Sequence, residues 1–199
     1  MTHIKRLLLL ALLLAGTACE APLERLDDLS RTTFQLIDQD SSARSFPSDF
    51  LGQPIVVGYI FTNCYDICPL TTNNMARIAS RLDSLNIGGV QYVAISFDPL
   101  VDRPSVLRSY ARLRGISDDR WSFLTGQTVT IDSLMHRVGM TVVPVDSTFY
   151  ADGSKSYYYI HTDRIQLFDA NGVLRRNYSG SKIRLDEITR DIVWLSQND

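Results

Sequence analysis

Cys64 and Cys68 lie four residues apart in FTNCYDICPLT, with Pro69 directly after the second. Two thiols at this spacing admit three chemistries: a structural disulfide, a dithiol–disulfide redox pair, or two ligands of a metal ion. A disulfide is possible, because a tight loop brings two Cα atoms within about 4.4–6.8 Å. Closing so short a loop removes little entropy from the unfolded chain, so stability alone is a weak reason for the bond. Reactive sulfur is the better reading. Cys68 falls where a helix is expected to start, near unsatisfied backbone N–H groups that favour a thiolate. Asp66 opposes this by raising a neighbouring thiol pKa.

The spacing separates the two reactive uses. Thioredoxin-like redox pairs are C-x2-C. The extra residue here lets both sulfurs point at one ion, and two thiolates select soft ions such as Cu(I). A structural zinc site takes four protein ligands, and the chain has only three cysteines. A third ligand could come from one of three histidines. His3 lies in the N-terminal leader. His136 falls off the apolar stripe Ile131, Leu134, Met135 and Val138, which marks it as a solvent-facing helix residue. His161 follows Tyr157-Tyr158-Tyr159-Ile160 and precedes a strand. The residues alone leave it as either a ligand or an ordinary strand histidine. The tyrosines read as core and cross-strand packing.

The compartment follows from the first residues. Lys5 and Arg6 precede the apolar run Leu7–Ala15, and Gly16-Thr17-Ala18 supplies small residues for cleavage. The run is far shorter than the roughly twenty residues that span a bilayer, so residues 1–18 read as a secretory signal. Cys19 follows at once and resembles the lipid-modified cysteine of bacterial lipoproteins, although Gly16 stands where leucine is usual. The expected location is therefore the bacterial cell envelope, as a membrane-anchored extracytoplasmic lipoprotein in an oxidising compartment. Without Lys5 and Arg6 the chain has 18 basic against 22 acidic side chains, a net of −4. With no long basic run, nucleic acid is excluded as a partner. Glu20–Arg31 is polar without a clear apolar period and reads as a tether over residues 19–31, leaving 32–199 as one domain.

The elements that must position these residues read as α/β. Phe34–Asp38 alternates like a strand, with turns at DQDSSARS and at Phe50-Leu-Gly-Gln-Pro. Ile55–Phe61 is a continuous apolar run, as in a strand buried on both faces, and Val90–Phe97 reads as the next buried strand. Between them, Pro69 suits the first helical position. Met75, Ile78, Ala79, Leu82 and Leu85 make one helical face, and Gly88-Gly89 ends the helix. Helices are expected over Ser105–Arg114, Val129–Val138 and Leu185–Leu195, with WSFLTG leading into the second. Met140–Val145 reads as a further strand, Asp146–Ser156 as a loop, and Arg164–Asp169 and Val173–Tyr178 as a hairpin about Ala170-Asn171-Gly172. The order β-β-α-β-α-α-β-β-α puts the cysteines at the carboxyl end of a central strand, where functional loops of such sheets lie.

Four segments in order, CYDICP (Cys64–Pro69), SFDPLVDRP (Ser96–Pro104), WSFLTG (Trp121–Gly126) and HTDRIQLFDANG (His161–Gly172), resemble the Sco/SenC family of copper-binding, thioredoxin-fold proteins. The resemblance runs from about Phe34 to Leu195. It implies a thioredoxin-like fold, a central mixed sheet flanked by helices, with extra N-terminal strands and an inserted hairpin. It implies a copper site of Cys64, Cys68 and His161, taking Cu(I) and also Cu(II). It further implies delivery to the copper A site of a cytochrome c oxidase subunit, with other periplasmic copper carriers or thioredoxin-like reductants as further partners. Asp98 and Asp102 match the family's D-P-x-x-D loop and read as loop-shaping or partner-facing residues, or as an Asx turn with a helix cap at Asp102. Tyr65 stands where many members have proline, and Asp146–Ser156 matches no family motif.

The alternative function is a thiol–disulfide oxidoreductase, with Cys64 and Cys68 as its redox pair, keeping a partner's cysteines reduced. A peroxiredoxin-like peroxidase fits poorly, because Thr62 lies two residues before Cys64 where T-x-x-C requires three. A metallochaperone need not be an enzyme, and a monomer is expected.

Overall fold

The computed structural model describes residues 22–64, 67–145, 148–149 and 155–198. The leader, Cys19, Tyr65, Asp66 and most of the Asp146–Ser156 loop lie outside these. Strands β1 (Asp27–Asp28), β2 (Phe34–Asp38), β3 (Ala43–Phe46) and β4 (Ile55–Ile60) precede helix α1 (Ile67–Ser84). Then come β5 (Gln91–Ser96), α2 (Pro104–Leu113), β6 (Trp121–Thr125) and α3 (Thr128–Arg137). The short strands β7 (Val142–Pro144), β8 (Thr148–Phe149), β9 (Lys155–Ser156) and β10 (Tyr159–His161) follow. The chain closes with β11 (Ile165–Phe168), β12 (Val173–Tyr178) and α4 (Leu185–Asn198).

One eight-stranded sheet has the order β1-β12-β11-β4-β5-β6-β2-β3. β4, β5 and β6 run parallel at its centre, and the strands outside them are antiparallel. Each residue of β4 is buried, as its unbroken apolar run requires. α1 packs on β4 and on α4, α2 against β6, and α3 against β2. Gly58, in mid-strand, permits the first of these contacts. A Cβ there would collide with Met75 Sδ and stand 3.2 Å from Thr71 Cγ2.

Several expectations change. WSFLT is itself a buried strand, parallel to β5, with Trp121 stacked on Tyr92 at 4.9 Å. The end of the DQDSSARS turn is β3, paired with β2. The helix begins at Ile67, so Pro69 is its third residue, where a missing N–H is still harmless. It ends ahead of Gly88-Gly89. Asn86 takes the left-handed conformation (φ 56°), and the Ile87 N–H returns to the Leu82 carbonyl at 2.9 Å. Leu85 is then exposed instead of lying on the apolar face.

The stretch read as a tether is also partly docked. Leu23 and Leu29 are buried, and β1 joins the sheet edge against β12. Arg137 pairs with Asp27, and Arg175 Nη1 donates to the Leu23 carbonyl at 2.7 Å. Three leucines spaced three apart, at 23, 26 and 29, are too few to show a period in a polar segment. Two of them nonetheless find the core.

Candidate metal centre

β4 delivers the chain to Phe61 at the carboxyl end of the sheet centre, and the turn Thr62–Cys64 leads into α1. Asp102 fixes that turn. Its buried carboxylate accepts the Thr62 N–H (2.9 Å), the Thr62 hydroxyl and the Ser96 hydroxyl (2.6 Å). Burial raises the Asp102 pKa, against the lowering effect of these donors. The residue is neither partner-facing nor a helix cap. The N-cap of α2 is Arg103, without a side-chain bond, and loop-shaping is the role Asp102 fills.

Cys68 is fully buried on the first turn of α1, and Cys64 is half-buried. Neither is in a disulfide. The Cys68 N–H points at Cys64 Sγ (3.4 Å), and the Phe61 N–H points at Cys68 Sγ (3.4 Å). The helix-start donor therefore serves Cys64, not Cys68 as the sequence suggested. The hydrogen bond with Cys64, reinforced by burial, pushes the Cys68 thiol far above its ordinary value of 9.0. The thiol form of Cys68 is thereby favoured over the thiolate.

His161 ends β10, on a two-stranded ribbon with β7 in which Ile160 faces Val143 and His161 faces Val142. Its ring packs beside Phe61 (6.1 Å) and Phe97 (4.9 Å). Nδ1 is 3.1 Å from the Thr162 carbonyl. A carbonyl only accepts, so Nδ1 carries the proton and Nε2 presents its lone pair. Nε2 lies 3.8 Å from Cys68 Sγ. Burial favours the neutral ring, but hydrogen bonds to Cys64 and to the Thr162 carbonyl outweigh it and hold the pKa above 6.5.

The donor atoms of Cys64, Cys68 and His161 all lie within 4.8 Å of one another. A point equidistant from three such atoms is within about 2.8 Å of each, against roughly 2.0–2.3 Å for bonds from a metal to nitrogen or sulfur. Sub-ångström side-chain movement closes that gap, so the set fits a three-coordinate soft ion. The three residues singled out in the sequence are brought together. His136 is exposed on α3, away from them.

Tyr157 and Tyr159 carry more than packing. Both hydroxyls donate to the buried Asp98 carboxylate, Tyr159 at 3.3 Å. Burial and the Asp98 charge keep both phenols protonated, with Tyr159 pushed up to about 12. The signal was present in the alternation Y-x-Y-x-H, which places residues 157, 159 and 161 on one strand face.

The SCO1/SenC family model matches residues 24–197. A SCO1 protein homolog of Bacillus subtilis (strain 168) is 31% identical over 162 residues, covering 80% of this chain and 78% of the relative. A SCO1/SenC family lipoprotein from Bacillus anthracis has a solved structure that is 28% identical. It superposes with a TM-score of 0.70 over 85% of this chain and 95% of its own. BsSco is described as a member of the Sco family of cytochrome c oxidase assembly proteins with a disulfide switch. It is 25% identical with a TM-score of 0.70, covering 88% of this chain and 98% of its own. The fold is thus the thioredoxin-like fold of the Sco proteins, carrying an inserted ribbon. With the family model matching nearly the whole folded region, the chain belongs to the SCO1/SenC family.

Proposed function

We propose that this protein is an extracytoplasmic copper chaperone. It holds one copper ion through Cys64, Cys68 and His161 and passes it to the copper A site of cytochrome c oxidase. The observation that carries this reading is the convergence of two thiols and one imidazole Nε2 within 4.8 Å. Two sulfurs and a nitrogen suit Cu(I) and accommodate Cu(II). Three ligands leave room for an incoming fourth, which transfer by ligand exchange requires. Cys64 and His161 are half-buried, so a recipient's ligands can reach the ion. The outer ribbon face, where Val143, Val145, Tyr158 and Ile160 are exposed, offers an apolar contact beside it. Copper-bound Sco structures from other organisms share the fold.

The leader pattern and Cys19 support a lipid anchor at the cell envelope, as does the lipoprotein description of the Bacillus anthracis relative. Among the described residues, no helix is long and apolar enough to cross a membrane.

The test is an anaerobic Cu(I) titration of the reduced full-length protein in detergent, against a competing chelator. One tightly bound ion per chain is expected, weakened in His161→Ala and lost in Cys64→Ser, Cys68→Ser. Wild-type affinity in the double serine variant would sink the copper reading.

A second reading rests on the two reduced thiols lying side by side. As a dithiol the pair can reduce a partner's disulfide. Two electrons and two protons pass to the partner, and a Cys64–Cys68 disulfide remains. Reductase activity retained by His161→Ala, with no competitive copper binding by wild type, would make this the main role.

A further inference from the structure

The ribbon that carries His161 is not part of the main sheet. Among the described residues, β7 and β10 pair only with each other. Near the centre, the ribbon is attached to the body of the protein through side chains. Tyr159 and His161 lie on its inner face, and Tyr157, just ahead of β10, is turned the same way. Tyr157 and Tyr159 reach the Asp98 carboxylate, and His161 reaches the sulfurs. The tyrosine rings pack on Phe61 and Phe97, with Tyr159 at 5.1 and 5.5 Å from them.

Asp98 is itself held in place. Its N–H donates to Ser96 Oγ (3.0 Å), and its carbonyl accepts the Asp102 N–H (2.8 Å). The same Ser96 hydroxyl donates to the Asp102 carboxylate, which grips Thr62, two residues before Cys64. One loop, residues 96–102, is thus the common reference for both arms of the centre. Asp102 locates the cysteine arm, and Asp98 locates the histidine arm.

We infer that Tyr157 and Tyr159 are positioning residues for His161. Their hydroxyls, latched on Asp98, set the imidazole against the sulfurs, so the third ligand can be loosened without disturbing the two cysteines. The inference rests on the copper-site reading above. A ligand held in place by its supporting hydrogen bonds binds more tightly than one on a free strand, and loss of such support costs metal affinity roughly 10–100-fold. Opening the latch would strand a buried carboxylate, which favours the closed ribbon.

The test is the double variant Tyr157→Phe, Tyr159→Phe of the full chain in detergent. Phenylalanine keeps the rings and removes only the hydroxyls. Wild type and His161→Ala are measured alongside. Cu(I) affinity is read by chelator competition, the imidazole by nitrogen coupling in the Cu(II) electron paramagnetic resonance spectrum, and the fold by circular dichroism. The double variant is expected to bind one copper about tenfold more weakly. Its nitrogen coupling should be reduced or heterogeneous while its dichroism spectrum is unchanged. Wild-type affinity and coupling in a folded double variant, with His161→Ala weakened, would overturn the latch and leave the copper site standing. Equal copper binding by wild type and His161→Ala would overturn the three-ligand reading, and the latch with it. If the double variant does not fold, Tyr159→Phe alone decides by the same two readouts, with a smaller loss of affinity expected.

Discussion

Asp102, on the loop after β5, accepts the backbone N–H of Thr62 at 2.9 Å, across forty residues of sequence and two residues before Cys64. The bond makes a buried carboxylate the anchor of the cysteine turn. Asp102→Ala would leave that N–H and the Ser96 hydroxyl without their partner in the core. A loss of about 2–4 kcal/mol in unfolding free energy is expected. Asp102→Asn keeps an acceptor oxygen and should cost less than half as much. Urea unfolding of both variants measures this, and equal losses would show that the acceptor role is not what matters.

The same carboxylate sets a pH dependence. Burial raises the Asp102 pKa above the ordinary carboxylate value, so the folded state holds that proton more firmly than the unfolded chain does. Its contribution to stability is therefore fully present below the unfolded pKa and is lost as pH rises through the folded one. Between pH 4 and 7, the stability difference between Asp102→Asn and wild type should shift in favour of the asparagine variant. Denaturant midpoints across that range test it. A constant difference would mean that Asp102 titrates alike in the folded and unfolded chains.

Copper affinity should itself rise with pH. Cys68 is held protonated in the ion-free protein, and His161 is held above 6.5. Ligation requires the thiolate and the neutral ring, so the ion must displace their protons. The apparent association constant should climb about tenfold per pH unit for each proton displaced. Competition titrations at pH 6, 7 and 8 would show the slope. A flat profile would mean that Cys68 is already a thiolate before the ion arrives.

The core and the metal candidates were legible in the sequence, for different reasons. Ile55–Phe61 carries a continuous apolar run and Val90–Phe97 a mostly apolar one, as buried strands do, and both contain strands of the sheet centre. Cys64 and Cys68 were legible from their residue type and spacing, whereas His161 stood out as a ligand only through the family resemblance. WSFLT was read only as a lead-in, because five residues are too short for a period. Here the strand comes from pairing with Tyr92 and its neighbours, which is a tertiary cause. The assignment of the helix-start N–H to Cys64 depends on loop geometry over a few ångströms, which spacing alone does not fix. The Asp98 latch was hidden because a tyrosine's ring and hydroxyl have separate uses, and packing accounts for the ring.

Cys19 lies outside the described residues, and its role is testable without a structure. If it carries the lipid, Cys19→Ser should move the protein from the membrane fraction to the soluble one and abolish labelling by a fatty-acid probe. The three candidate ligands lie well within the described residues, where burial begins at Leu23, so copper binding should be unchanged. Membrane retention of the variant would mean that the apolar run Leu7–Ala15 is kept and does the anchoring.

Gly58 joins the fold to the centre. α1 can approach β4 only because no Cβ stands between Gly58 and the Met75 and Thr71 side chains. Alanine there would overpack a rigid contact, at a typical cost of about 1–3 kcal/mol. Met75 is fully buried, so its thioether has little room to turn away, and the crowding is expected to fall on the packing of α1 against β4, as a shift of the helix. Cys68 rides on the first turn of that helix, while Cys64 and His161 belong to other segments, so the shift would pull one sulfur from its two companions. Gly58→Ala should therefore lose copper affinity more than its loss of stability explains, and second-site Met75→Ala should restore part of it by making room. Chelator competition and thermal unfolding on the same samples separate the two effects. If affinity were untouched while the melting temperature fell, Met75 would have absorbed the crowding and α1 would have stayed in place.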